Sequence, residues 1–193
     1  MSVEVLFITH ADVVISADVP VPDWPLSDTG RARHLAQAEA LRAAPPAALW
    51  CSAERKARDA ADILSGVLGL AVQIDADLGE NDRSSTGFLP GAAFQAAADA
   101  FFARPGESYR GWETADAAQA RIVAAATRIC GAATAGPVAI SAHGGVGALL
   151  LGHVTATPIS RGLDQPGRSG GNCFRFRWPD MALRHGWRDI SKG

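Results

Sequence analysis

The chain has 193 residues, 48% of them hydrophobic, and a formal net charge of −2, which predicts one globular domain over residues 1–193 with a sizeable core. The small net charge disfavours nucleic acid and anionic membranes as partners, and no apolar run approaches the roughly 18 residues of a membrane span. Three widely spaced cysteines without a C-x-x-C pair indicate a reducing, cytoplasmic location and disfavour a disulfide framework or a zinc site.

Strand and helix patterns alternate along the first part of the chain. The apolar run Val3–Ile8 predicts a buried strand that ends on Thr9 and His10. Ser27 is the predicted N-cap of a helix through Leu41, and two prolines stop that helix. The next predicted elements are the strand Ala47–Cys51, the helix Lys56–Val67 and the strand Val72–Ile74.

The second part of the chain continues the alternation after a polar loop. The predicted elements, in order, are the loop Leu78–Pro90, the helices Phe94–Phe102 and Glu113–Ala133, the strand Pro137–Ser141, a helix through Val154, the glycine-rich loop Ile159–Asn172, and the strands Cys173–Trp178 and Leu183–Trp187. This alternation predicts a three-layer α/β/α sandwich with a mostly parallel central sheet.

Polar residues follow three of the predicted strands. They are Thr9 and His10; Ser52, Arg55 and Lys56; and Ser141 and His143. Because the carboxyl ends of parallel strands share one edge of the sheet, we expect these groups to converge. Imidazoles and cations in one place suit an anion such as phosphate. Gly144 and Gly145 allow close approach of the backbone, and the helix that follows directs its N-terminus to the same edge.

Short motifs, in a consistent order, make the chain similar to branch 1 of the histidine phosphatase superfamily, the phosphoglycerate mutase-like proteins. The matching segments are Thr9-His10-Ala11 for R-H-G, Pro25–Gly30 for P-L-T/S-x-x-G, Ser52–Ala61 for S-x-x-x-R-A-x-x-T-A, Leu78-Gly79-Glu80 for L-x-E, Gly111–Arg121 for G-G-E-S followed by arginine, and Ala142–Gly145 for S-H-G-G. The resemblance covers nearly the whole chain and implies a phosphoglycerate mutase-like fold.

The resemblance implies catalytic roles for three residues. His10 is expected to be the nucleophile that forms a phosphohistidine, and His143 is expected to stabilise transition-state charge. Glu80 is expected to act as general acid and then base, with Asp82 as a rival in the same loop.

The resemblance also implies a phosphate-binding set without metal or other cofactor. The expected contacts are Thr9, Gly144, and either Arg55 or Lys56, since the strict register places Lys56 where the family has arginine. The partner implied is a small phosphorylated molecule or inorganic phosphate; the oligomeric state is left open.

Thr9 is the largest departure from the family pattern, which has an arginine before the nucleophile. Loss of that charged contact predicts a rate lower by about 10²–10³. The leading hypothesis is a phosphomonoester hydrolase that acts through His10; the alternative is a catalytically impaired member that binds an anion or a protein partner. Four arginines are candidates to replace the missing charge: Arg31, Arg33, Arg58 and Arg83.

Two other motifs fail on spacing. Cys51 and Arg58 have six intervening residues, whereas a cysteine phosphatase requires five, and Leu150 stands where a dinucleotide-binding loop requires a small residue. The remaining histidines, His34, His153 and His185, are expected to serve packing or surface roles. The segment Gly170–Asn172 is interpreted as a turn, with lining of the pocket as the alternative.

Overall fold

The computed structural model describes residues 2–133 and 136–192. Its strands are β1 (Val3–Thr9), β2 (Ala48–Cys51), β3 (Val72–Ile74), β4 (Val138–Ala142), β5 (Asn172–Trp178) and β6 (Ala182–Asp189). They form one sheet in the order β3-β2-β4-β1-β5-β6. The first four strands pair in parallel, while β5 and β6 add antiparallel pairs at one side, so the predicted mixed α/β fold is confirmed.

Five α-helices accompany the sheet within the described residues. They are α1 (Asp28–Leu41), α2 (Arg55–Leu68), α3 (Gly91–Ala103), α4 (Ala115–Ala132) and α5 (Gly144–Val154). None of these helices combines the length and the hydrophobicity that crossing a membrane requires.

Local signals set the helix ends. Ser27 caps α1, as predicted, because its hydroxyl accepts the Gly30 N–H at 3.1 Å. Gly69 ends α2 in the left-handed conformation, with φ of 70°. The helix expected from Glu113 begins two residues later, since the Thr114 hydroxyl accepts the Ala117 N–H and makes Thr114 the N-cap.

The core lies on both faces of the sheet. Phe7 and Ile8, neighbours on β1, are both fully buried but belong to opposite layers, as the alternation of a strand requires. Phe7 packs with α4 and α5, and Ile8 packs with α1 and α2. The central strands are therefore covered on both sides, which explains their continuous apolar sequences.

Strand register places three strand ends level with one another. Thr9 pairs with Ala142, and Cys51 pairs with Ser141. The pairing continues one residue further, because the His10 N–H donates to the Ala142 carbonyl at 3.1 Å and the Ser52 N–H donates to the Ser141 carbonyl at 3.0 Å. The residues that follow these strands consequently meet at one edge of the sheet.

Candidate active site

Among the described residues, only one ring nitrogen of His10, Nδ1, has a hydrogen-bond partner at this edge. Its Nδ1 lies 2.9 Å from the Ala11 carbonyl oxygen, which only accepts hydrogen bonds, so we assign the ring hydrogen to Nδ1 and the lone pair to Nε2. Removal of the ring from water, with a smaller effect of Lys56, lowers the pKa of His10 to about 4. The imidazole is therefore neutral at pH 7, the form a nucleophile requires.

The backbone around His10 is held from two sides. The Ala11 N–H donates to Nε2 of the buried His34 at 3.0 Å, and the Gly171 N–H donates to the His10 carbonyl at 2.8 Å. A Cβ on Gly170 would lie 2.2 Å from that carbonyl, so only glycine permits this approach. His34 thus packs in the interior and also fixes the loop that carries His10.

His143 lies beside His10 and is completely buried. The two ring centroids are 5.3 Å apart, and His143 Nε2 is 2.8 Å from Ser52 Oγ and 3.4 Å from Glu54 Oε1. Desolvation outweighs the attraction of Glu54 and lowers the pKa of His143 to about 4. Within the described chain its Nδ1 has no hydrogen-bond partner, which leaves that atom for a ligand.

Lys56 is the buried cation of the site. Its side chain is 3% exposed, and its Nζ donates to the Val21 carbonyl at 2.9 Å and to the Glu54 carboxylate. Arg55, in contrast, lies exposed in the first turn of α2. Of the two alternatives left by the sequence, the structure therefore places Lys56 in the interior.

Glu54 is a site residue that the sequence reasoning missed. Its carboxylate contacts Lys56 and accepts the Glu80 N–H at 2.8 Å. Desolvation opposes its ionisation, but His143, Lys56 and these hydrogen bonds prevail and lower the pKa of Glu54 to about 2. The signal in the sequence for this residue was a carboxylate two positions before Lys56, ahead of a helix. The site thus carries a negative charge directly against its lysine.

Glu80 binds the N-terminus of α5. Its carboxylate accepts N–H groups from Gly145 at 3.0 Å, Val146 at 2.9 Å and Asn81 at 3.1 Å. A Cβ on Gly145 would lie 2.6 Å from Glu80 Oε1, so this glycine makes room for the carboxylate. The first N–H groups of α5 hence bind a carboxylate of the protein, where the sequence predicted an approach of phosphate.

Arg121 fixes the segment that carries Glu80. Its guanidinium donates to the carbonyls of Gly79 at 2.9 Å and Glu80 at 3.2 Å and pairs with Glu113. The rival acid Asp82 is exposed and accepts the N–H of Ser84 at 2.9 Å instead. Glu80, and not Asp82, is therefore the loop acid held at the N-terminus of α5, next to His143 in the chain.

In the part of the chain that the structure describes, none of the four arginines proposed as substitutes for the missing charge forms a hydrogen bond with His10 or His143. Arg31 pairs with Asp59, and Arg33 binds Asp12, Asp189 and the carbonyls of the glycine turn. Arg58 is exposed, and Arg83 stacks on Phe94 with its guanidinium carbon 4.8 Å from the ring centre.

Thr9 is fully buried and contacts an amide that the sequence did not reveal. Its hydroxyl donates to Gln165 Oε1 at 2.7 Å and accepts the Asn172 N–H at 2.9 Å. Gln165 Nε2 lies close to Gly144, since a Cβ there would be 2.2 Å from it. Gly144 thus borders a glutamine side chain, and Asn172, considered part of a turn or of the pocket, supports this arrangement.

This sheet order and these paired histidines define a mixed α/β protein of the phosphoglycerate mutase type. The chain belongs to the histidine phosphatase superfamily, branch 1, whose family model matches residues 5–173. The family membership and the fold expected from the sequence motifs are both confirmed.

Several solved structures are similar over nearly the entire chain. A mycobacterial glucosyl-3-phosphoglycerate phosphatase with inorganic phosphate is 24% identical, and the match covers 98% of this chain and 99% of that chain with a TM-score of 0.73. A structure of that enzyme with VO3 is 23% identical, with coverage of 89% and 91% and a TM-score of 0.76. YhfR of Bacillus stearothermophilus is 19% identical, with 95% of each chain covered and a TM-score of 0.78. No match was found among curated proteins.

Proposed function

We propose that this protein is a phosphatase that hydrolyses a small phosphomonoester through a phosphohistidine at His10. The observation that carries the proposal is the bond from His10 Nδ1 to the Ala11 carbonyl, because it leaves a neutral ring with its lone pair on Nε2. Membership of the histidine phosphatase superfamily supports it, as do similar folds solved with phosphate and VO3.

The proposed reaction has two displacements at phosphorus. His10 Nε2 attacks the phosphorus atom, the P–O bond to the alcohol breaks, and the leaving oxygen takes a proton from Glu80, which enters this step as the protonated carboxyl group and leaves it as the carboxylate. A water molecule then gives a proton back to Glu80 and attacks phosphorus, and the N–P bond breaks to release phosphate and restore the lone pair. His143 Nδ1 and Lys56 bind the non-bridging oxygens, where charge develops.

The test compares wild type with His10→Ala on a generic aryl phosphate. His185→Ala is a matched control, because His185 Nδ1 also bonds to the carbonyl of the next residue, at 2.8 Å, but on β6. We expect His10→Ala to abolish hydrolysis and His185→Ala to retain it. An alkaline quench of labelled substrate should trap phosphate on wild type and not on His10→Ala. Equal hydrolysis by wild type and His10→Ala would overturn the proposal.

A second candidate function is anion binding without turnover that depends on His10. It is favoured by the pairing of Lys56 with Glu54, which offsets the charge of the lysine, and by Thr9 in place of arginine. Under this alternative the wild-type protein binds phosphate in calorimetry, whereas hydrolysis is the same in wild type and His10→Ala. Measurable His10-dependent turnover would exclude it.

A further inference from the structure

The orientation of the Gln165 carboxamide is fixed by two hydrogen-bond donors. Thr9 Oγ1 and Asn172 Nδ2 both approach Oε1, at 2.7 and 3.2 Å. Asn172 Nδ2 also faces the carbonyls of Pro166 and Gly170, at 3.1 and 3.2 Å, which identifies it as the amide nitrogen. The Thr9 hydroxyl has a second acceptor, the Asn172 carbonyl at 3.2 Å, but its shorter contact is to Gln165 Oε1. Gln165 therefore turns its oxygen to these donors and its NH2 group to the opposite side.

The NH2 group of Gln165 borders Gly144, the residue that directly follows His143. A Cβ on Gly144 would be 2.2 Å from Nε2 and 3.1 Å from Cδ, so the amide packs on the first residue of α5, directly after His143. In residues 2–133 and 136–192 no acceptor receives a hydrogen bond from Nε2. An oriented donor with two hydrogens therefore lies beside the proposed phosphoryl site.

We infer that Gln165 Nε2 donates a hydrogen bond to a non-bridging oxygen of the phosphoryl group. It does so in place of the arginine that the family carries at the position of Thr9. Thr9 is then a positioning residue, since its hydroxyl aims the amide and does not touch the ligand. This inference rests on the proposed phosphate site and deepens it. A neutral donor gives a directional bond without the charge of the arginine that it replaces.

A purely structural role for Gln165 makes a different prediction. To fasten the glycine-rich loop to β1, the side chain needs only its oxygen, which binds Thr9 and Asn172. To bind a phosphoryl oxygen, it needs its nitrogen. Gln165→Glu separates the two roles, because it keeps the size and an acceptor oxygen but replaces the NH2 group by a second oxygen.

The experiment titrates inorganic phosphate into wild type, Gln165→Glu and Gln165→Met by calorimetry. Gln95→Met, on the exposed face of α3, is the control. We expect Gln165→Met to weaken phosphate binding by about ten- to a hundred-fold, the value of a hydrogen bond to a charged group, and Gln165→Glu to weaken it further by repulsion. Thr9→Ser keeps the hydroxyl and should retain affinity, and Gln95→Met should match wild type. The melting temperature of Gln165→Glu should stay near that of wild type.

The outcomes separate this inference from the proposed function. Phosphate affinity that is equal in wild type and Gln165→Glu would overturn the role of Gln165 while leaving His10 untouched. Loss of affinity in Gln165→Glu, without His10-dependent hydrolysis in wild type, would support Gln165 as an anion ligand and favour the second candidate function. Wild-type protein that neither binds millimolar phosphate nor shows His10-dependent hydrolysis would overturn both.

Discussion

Glu54 and His143 face each other inside the site, with Oε1 of the carboxylate 3.4 Å from Nε2 of the imidazole. The same carboxylate pairs with Lys56. Under the proposed function, the carboxylate favours a charged His143 when a phosphoryl group binds: Nε2–H then remains with Glu54 and Ser52, while Nδ1–H is available to an oxygen of the ligand. In the proposed site, Glu54 therefore both weakens Lys56 as a phosphate ligand and supports the charged form of His143.

Replacement of Glu54 by glutamine tests this dual effect. Glu54→Gln keeps an oxygen for the Glu80 N–H but releases Lys56, so we expect tighter binding of phosphate. It also leaves a buried cation without its carboxylate, and we expect the free energy of unfolding to fall by about 3–5 kcal/mol. Calorimetry and urea denaturation measure the two quantities.

The control for this substitution is Glu39→Gln. Glu39, on α1, forms an exposed pair with Arg42, the residue that follows the helix, and such pairs contribute about 0–1 kcal/mol. If Glu54→Gln binds phosphate no better than wild type, the lysine is not restrained by its carboxylate.

The stability of the ligand-free protein should fall on acidification. Burial lowers the pKa values of His10, His34 and His143 to about 4, from the ordinary 6.5, so the unfolded chain binds more protons than the folded chain between those values. The stability is full above about pH 6.5 and decreases as the pH falls toward 4. Glu54 adds a decrease between 4.5 and 2, because its pKa is about 2.

Substitution of one histidine measures the contribution of that residue to the pH dependence of stability. His34→Gln removes one buried titrating ring and should flatten the dependence of unfolding free energy on pH by up to about 1.4 kcal/mol per pH unit between 4 and 6.5. Urea denaturation at several pH values gives the slope. An unchanged slope would show that His34 is not the buried neutral group described above.

Restoring the family arginine requires removal of Gln165. Thr9 is fully buried and Gln165 occupies the space between it and Gly144, so we expect Thr9→Arg alone to destabilise the protein without tighter phosphate binding. The double variant Thr9→Arg, Gln165→Ala provides the space and should bind phosphate more tightly and hydrolyse aryl phosphate faster. If the single variant gains as much as the double variant, the two side chains do not compete for this space.

Gly145→Ala should displace Glu80. The added Cβ would lie 2.6 Å from Glu80 Oε1, so the carboxylate must leave two N–H groups of α5. We expect the free energy of unfolding to fall by about 1 kcal/mol and hydrolysis to be lost. Gly131→Ala in α4 is the control: no atom lies within 4 Å of its added Cβ, and it should stabilise the helix by up to about 1 kcal/mol. Thermal denaturation measures the change in stability, and the aryl phosphate assay measures the change in hydrolysis.

Local sequence was sufficient for most of the fold. Ser27 and Gly69 marked helix ends because capping depends on groups within a few residues. The apolar runs before His10 and His143 identified two central strands that are buried on both faces, and level strand ends followed from parallel pairing. Local sequence could not show which of Arg55 and Lys56 faces the interior, since both follow the same strand in consecutive positions.

The amino-acid sequence by itself determined the strands, the helices, the family and the two histidines at one edge of the sheet, because each depends on short-range periodicity or on a contiguous motif. Only the tertiary structure decided the electrostatics of the site. Gln165 meets Thr9 across 156 positions of sequence, and Glu80 reaches Gly145 across 65. Such contacts depend on how distant loops pack against the strand ends, and no local pattern encodes them. Burial, also a tertiary property, makes both histidines neutral at pH 7.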